Sequence, residues 1–251
     1  IAIVNSDSGE PYNTAKIHML QTLAENGFEQ GKNLKVKEYT INNDEEKGRK
    51  LFLKLKSKKY SFILVNGTIA ARSARDVLYN DKKHKVVFSC VTDPIGEGLI
   101  ENFDVSPSAN FTGVSFSVPI HMRFNIIKKR FPYDRTRNLK IGLIYADMPQ
   151  SHSYKRWIEE AMQGTINTDN IKTKTYAKLC GFEFHFRMVP FVSGSNGNVE
   201  MANAAKKYVQ ELNGTVDLFV SPNDQMGANR PFAEMVWKTA PKPLIGLGRL
   251  D

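Results

Sequence analysis

Two stretches of the chain end an apolar run in small polar and acidic residues, the side-chain types from which a site for a small polar molecule is built. In the first, YSFILV leads into Asn66-Gly67-Thr68 and then into the helix-forming IAARSARDVLY. Free backbone N–H groups at a helix N-terminus hold anionic groups. Gly67 would permit close approach there, and Thr68 could cap the helix while sharing its hydroxyl with a carboxylate. Helix capping without any ligand accounts for these residues equally well. In the second, KVVFSCVTDPIGEGL at 85–99, the run ends in Thr92-Asp93-Pro94. A carboxylate at that point can receive an α-amino group, a charge-assisted bond that contributes roughly 1.5–3 kcal/mol. Bracing of the Pro94 turn by Asp93 is an equal alternative.

Other candidates surround these two. Ser6, Ser8 and Tyr12 fall in the loop after the first apolar run, and Tyr145, Asp147 and Ser151 fall in a similar loop later. Either tyrosine could stack on an aromatic or apolar ligand, although a core or surface tyrosine is at least as common. Asn223 and Asp224 end another apolar run and could offer hydrogen bonds, while turn chemistry explains them nearly as well.

Catalysis finds less support. His18, His84, His121, His152 and His185 lack metal-ligand spacing, so neither a metal nor a cofactor is expected. No GxSxG elbow, phosphate-binding GxxxxGK[ST] or helix-opening GxGxxG occurs, and the GLGR that includes Gly246 is only a fragment of a glycine pattern. Asp7 and Asp93 could suggest a phosphoacceptor pair, but the duplicated organisation described next fits that poorly. The expectation is binding, not an enzyme.

The elements that must position these residues read as repeated βα units. IAIVNS starts a strand, and residues 13–26 predict a helix capped by Asn13, with Ile17, Leu20 and Ala24 on one face and Gly27 at its end. LKVKEYTI at 34–41 alternates like a strand nearer the edge, and 45–58 predicts a lysine-rich helix with Leu51 and Leu55 facing the core. Strands at 60–68 and 85–90 flank a helix at 69–79. Four βα units in a row predict a doubly wound parallel sheet. Past NFTGVSF at 110–116, whose central Gly113 suits a flexing crossover, the pattern restarts. A helix at 119–131 places Ile120, Phe124 and Ile127 together, with Pro119 in its first turn. KIGLIYA at 140–146 then matches IAIVNS, and the loop DMPQSHSY matches DSGEPY before a helix at 153–163. A strand at 182–192, a helix at 198–212 with Ala202, Ala205, Val209 and Leu212 inward, and strands at 216–224 and 242–249 follow, with 164–178 as the main insertion. Two similar α/β lobes joined by crossover strands are expected. In open parallel sheets the ligand sits beyond the carboxyl ends of the strands, where the candidates above are found.

Composition bounds the partners. The chain has 251 residues, 41% hydrophobic and 24% charged, an ordinary globular balance that disfavours disorder. No apolar run approaches the roughly 20 residues of a membrane span, and the start at Ile1 suggests a processed form whose targeting segment, a signal peptide, lay upstream. The net charge of +9 is spread over helix faces; without a helix-turn-helix, RNA-binding aromatic motif or zinc knuckle, nucleic acid is not an expected partner. A basic exterior equally suits apposition to an anionic membrane. Of the two cysteines, Cys90 lies inside an apolar strand and reads as a small buried hydrophobe, and Cys180 has no CxxC partner.

VNSDSGEPY, NGTIAARSARD, VVFSCVTDPIGEGL, NFTGVSF and IGLIYADMPQS together resemble the substrate-binding proteins of bacterial ABC transporters associated with aromatic amino-acid uptake. The pairing of VTDPIGEGL with NFTGVS some twenty residues later is fairly specific, and the similarity runs over nearly the whole chain. The resemblance implies the type I periplasmic binding-protein fold, two Rossmann-like lobes with parallel sheets joined by a hinge. The expected lobes are 1–113 and 114–251, with crossovers near 110–117 and 244–251. Where such proteins usually continue with a strand and a helix completing the first lobe, this chain stops, and its 164–178 insertion exceeds the usual length. The resemblance also implies a periplasmic or membrane-anchored extracellular monomer that closes on a small amino-acid-like ligand, aromatic ones included, and delivers it to a membrane permease. A ligand-sensing extracytoplasmic domain of a signalling receptor is the alternative, ahead of a transcription regulator or an α/β enzyme.

Overall fold

The computed structural model describes residues 1–115, 117–163, 181–194 and 196–246. The chain divides into two compact units, Ile1–Ser117 and Val118–Asp251. The 164–178 insertion, Cys180, Phe116 and the end of the strand expected at 242–249 lie outside the described residues.

In the first lobe the order is β1 (Ala2–Asn5), α1 (Tyr12–Glu25), β2 (Lys37–Thr40), α2 (Glu45–Lys56), β3 (Ile63–Asn66), α3 (Thr68–Leu78), β4 (Val86–Val91) and β5 (Phe111–Ser115). All pairs are parallel in a sheet ordered β2-β1-β3-β4-β5. The continuous apolar character of β1 and β3 follows from burial on both faces, since every residue of each is buried. Phe52 and Leu55 of α2 and Ile69, Ala71 and Ala74 of α3 pack on one face of the sheet. Met19, Leu20 and Leu23 of α1 pack on Ile1, Ile3 and Leu64 on the other.

The second lobe repeats the plan with α4 (Ile120–Arg130), β6 (Leu139–Ala146), α5 (Pro149–Gln163), β7 (Phe182–Val189), α6 (Gly197–Leu212), β8 (Leu218–Ser221), α7 (Arg230–Thr239) and β9 (Leu244–Gly246). Its parallel sheet runs β7-β6-β8-β9, the order of the first four strands of lobe 1. Ile120, Phe124 and Ile127 of α4 and Tyr154 and Ile158 of α5 cover one face; Ala202, Ala205 and Val209 of α6 and Phe232 and Val236 of α7 cover the other.

Several local expectations are corrected. Pro11, not Asn13, occupies the N-cap of α1, and the helix turns Ile17 (56% exposed) and Ala24 to solvent while its neighbours Met19, Leu20 and Leu23 pack inward. Pro119 sits at the N-cap of α4, one residue before the helix. α5 begins at Pro149, four residues early, because proline's fixed φ suits a first turn; most of the expected DMPQSHSY loop is therefore helical. Helix α7 was not anticipated, although Pro231 in its first turn and the buried Phe232, Met235 and Val236 carry the usual signals. Cys90 is half-buried, not core, because a bulge between Phe88 and Val91 turns it to φ +55°. Gly113 belongs to β5, where a Cβ would collide with the Phe88 carbonyl and ring. Close strand packing thus requires this glycine.

Candidate ligand-binding site

In a 2-1-3-4 sheet the chain leaves β1 in one direction for β2 and leaves β3 in the other for β4. The crevice between β1 and β3 is therefore the switch point where ligands bind in open α/β sheets. In lobe 1 the two strands end in register at Asn5 and Asn66. The Asn66 amide donates to Asn5 Oδ1 at 2.8 Å and accepts from the half-buried Ser89 hydroxyl, so β1, β3 and β4 are tied by one chain of neutral hydrogen bonds. Asn66 has no exposed surface.

Gly67 is the N-cap of α3 with φ +94°, and Thr68 is the first helical residue, not the cap. The capping oxygen comes from a distant strand: Ser6 Oγ accepts the Ala70 N–H at 2.9 Å. A side chain at Gly67 would strike Ser6 Oγ, 2.5 Å away, and Tyr12 Cε1, 2.7 Å away. Ser6, Tyr12 and Gly67 are therefore in mutual contact at the start of α3. Burial, with the Cys90 thiol and Asp7 nearby, pushes the Tyr12 phenol well above its ordinary range, tempered by its hydrogen bond with Ser6. Ala70 being taken by Ser6, the earlier first-turn amides of Thr68 and Ile69 are those that the helix cannot itself bond.

Thr92 joins the group through its N–H, 3.5 Å from Thr68 Oγ1, and its carbonyl accepts from Ser117 Oγ at 2.6 Å. Asp93 is buried; its Oδ1 accepts the Gly96 N–H at 2.9 Å and its carbonyl the Glu97 N–H at 2.9 Å, so it does brace the Pro94 turn. That turn is fastened to α3 by Arg75 Nη1, which donates to the Glu97 carbonyl at 2.6 Å, and by Arg72, 3.4 Å from the Glu97 carboxylate. Burial raises the Glu97 pKa, and Arg72 partly opposes the rise. Ser8 stands apart, exposed, its N–H bonded to Asp7 Oδ1.

The second lobe answers with a carboxylate. Asp224, 3% exposed, accepts from the Ala146 N–H (2.9 Å), the Ser151 hydroxyl (2.8 Å) and the Gly227 N–H (2.6 Å). These bonds join the end of β6, the first turn of α5 and the loop after β8. Burial raises the Asp224 pKa to about 6 against the pull of its hydrogen bonds. Tyr145 is 5% exposed and packed in the core with its ring edge-on to His152. Asp147 is exposed and lies 2.7 Å from His152 Nε2; Asn223 is half-buried.

Lobe 1 thus brings together Ser6, Tyr12, Asn66, Gly67, Thr68 and Thr92, with Asp93 next in the chain and bonded within its own turn, and lobe 2 brings together Ser151 and Asp224. Asn5 and Ser89 were missed in the sequence, and so was the Asn43 amide that donates to Asp7 Oδ2 at 3.0 Å. Asn5 and Asn66 each close an apolar strand, and that was the available signal. Among the described residues no group of three or more His, Cys, Asp or Glu is placed to hold a metal, and no helix is long and apolar enough to cross a membrane.

Known proteins share this plan. A conserved domain protein of Vibrio cholerae O1 biovar El Tor superposes with a TM-score of 0.74 at 17% identity, covering 98% of this chain and 73% of that one. An ABC domain from Streptococcus pneumoniae, solved in complex with L-Trp, gives 0.70 at 19% identity with the same coverage of each chain. These likenesses show the fold, that of type I periplasmic binding proteins: two α/β lobes with parallel sheets joined by a hinge. In sequence, a tyrosine-binding protein of Clostridioides difficile (strain R20291) is 28% identical over 132 residues, which cover 52% of this chain. The aligned segment spans 36% of that relative's length. The model of a non-catalytic family described as ABC transporter substrate binding protein matches residues 1–212, and the chain belongs to that family.

Proposed function

We propose that this chain is the extracytoplasmic solute-binding component of an ABC transporter, and that its solute is an amino acid, with an aromatic one favoured. The observation that carries the reading is the convergence at the β1/β3 switch point of lobe 1. There the first-turn amides of α3 and the Thr68 hydroxyl suit a carboxylate and Tyr12 offers an aromatic ring to a side chain, while Asp93, beyond the end of β4 and next to the Thr92 that is tied to Thr68, suits an ammonium group. The tyrosine-binding relative supports the aromatic preference. Ser6, Asn66 and Gly67 hold this surface in place; Asp224 and Ser151 do the same for the loops of lobe 2, with Tyr145, Asp147 and Asn223 around them. Closing of the two lobes on the solute, and its delivery to a membrane permease, complete the proposal. Tighter contacts in the closed form than in the open one would drive that closure.

Calorimetric titration with tyrosine, tryptophan and phenylalanine tests it, using Thr68→Val and Asp93→Asn. Each substitution should weaken binding about tenfold or more, equivalent to about 1.4 kcal/mol, while far-ultraviolet circular dichroism stays unchanged. Unaltered binding in both variants would refute this placement of the site.

A further inference from the structure

Helix α4 is apolar on two opposite sides. Ile120, Phe124 and Ile127 are buried in the core of lobe 2. At about 100° per residue, Met122 and Ile126 fall on the far side, and they are 51% and 61% exposed. Val118, just before the helix, is 44% exposed. Lys129 lies on the same outer face as Met122 and Ile126, with Arg130 beside it, and both are exposed. The charge continues past the helix: between Lys128 and Arg137 five basic residues stand against one acid, Asp134.

Some of these cations are engaged. Arg137 makes a two-pronged pair with Asp217 at 2.7 Å, and Lys128 sits over the Phe182 ring at 5.5 Å. Lys129, Arg130 and Arg135 have no acidic side chain within ion-pair distance among the described residues. The basic end of α4 leads into β6 and so lies at the amino end of the sheet, away from the carboxyl ends of the strands, where Asp224 and Ser151 meet.

A helix face that exposes medium-sized apolar side chains beside cations with no acidic partner among the described residues matches a surface bearing negative charge over an apolar layer. The apolar residues enter the acyl boundary while the cations meet the head groups. An acidic protein patch would satisfy Lys129 and Arg130 but would give Met122 and Ile126 no comparable apolar layer. We propose that the outer face of α4, Met122 and Ile126 with Lys129 and Arg130, docks on an anionic lipid bilayer.

Flotation of the full chain with vesicles tests this, comparing pure phosphatidylcholine with a phosphatidylcholine–phosphatidylglycerol mixture. The chain should float with the mixed vesicles at low salt and be released at high salt. Each basic residue near such a surface contributes roughly fivefold to partition, so Lys129→Gln with Arg130→Gln should weaken it about 25-fold. Met122→Ser with Ile126→Ser should weaken partition while leaving its dependence on salt. All four positions are exposed, so the thermal midpoints should stay at the parent value, which separates lost docking from lost folding. Equal partition to neutral and anionic vesicles, or binding unchanged in both double variants, would overturn the proposal. Absence of vesicle binding would overturn it too and leave the face to an acidic protein.

Discussion

The two lobes close the same strand order with opposite chemistry. In lobe 1 β1, β3 and β4 are joined by neutral groups, Asn5 to Asn66 to Ser89, and Ser6 caps α3. In lobe 2 a single buried carboxylate, Asp224, gathers the end of β6, the start of α5 and the loop after β8. The direction of capping is reversed as well. Ser6 after the first strand holds the helix after the third, whereas Asp224 after β8 holds the helix after β6. One topology therefore accepts either solution at its switch point, and the choice decides how each lobe responds to pH and to substitution.

Gly67→Ala should be the most damaging change. It places a Cβ against Ser6 Oγ and Tyr12 at φ +94°, and left-handed strain plus the collision should cost lobe 1 more than about 2 kcal/mol in chemical denaturation. An equal loss in both lobes would show that the clash is not confined to lobe 1.

The pH response of lobe 2 should come next. The folded Asp224 carboxyl titrates at about 6, against about 3.9 in an unfolded chain. Between those values the folded lobe keeps a proton that the unfolded chain has released, so stability falls as pH rises. The stabilisation is full below about pH 4 and gone above about pH 6, on the order of 2–3 kcal/mol. Asp224→Asn should flatten this slope. A parent protein whose lobe 2 midpoint rises between those pH values would contradict the assignment.

Asn66→Ala breaks the neutral chain and leaves Asn5 and Ser89 without their shared partner, at a cost of about 1–3 kcal/mol with no new pH dependence. Ser6→Ala should cost about 1 kcal/mol, the usual worth of an N-cap oxygen, and Ser6→Thr should restore part of it. Urea denaturation followed by circular dichroism measures both.

Much of this plan was legible in the chain itself, because local periodicity carries it. The spacing of Ala202, Ala205, Val209 and Leu212 marks the buried face of α6, and that of Ile120, Phe124 and Ile127 marks α4. Thr68, Thr92 and Asp93 stood out because they end apolar runs. What stayed hidden depends on contacts between distant residues. Ser6 is 64 positions from the amide it caps, and Asp224 is 78 from Ala146 and 73 from Ser151, so no local pattern marks either partnership. Ile17 reads as core by spacing, yet Met19, Leu20 and Leu23 take the sheet-facing side of α1. Tyr145 reads as available for stacking because it is grouped with the loop after an apolar run, but it belongs to β6 and is buried against α4 and α5.

The most direct test of the account is a thermal-shift titration of the full chain against each of the twenty amino acids. A solute at a hundredfold excess over its dissociation constant stabilises by about 2.7 kcal/mol. The account predicts a rise in the unfolding midpoint with at least one aromatic amino acid, reduced in Thr68→Val. No shift with any of the twenty would contradict it.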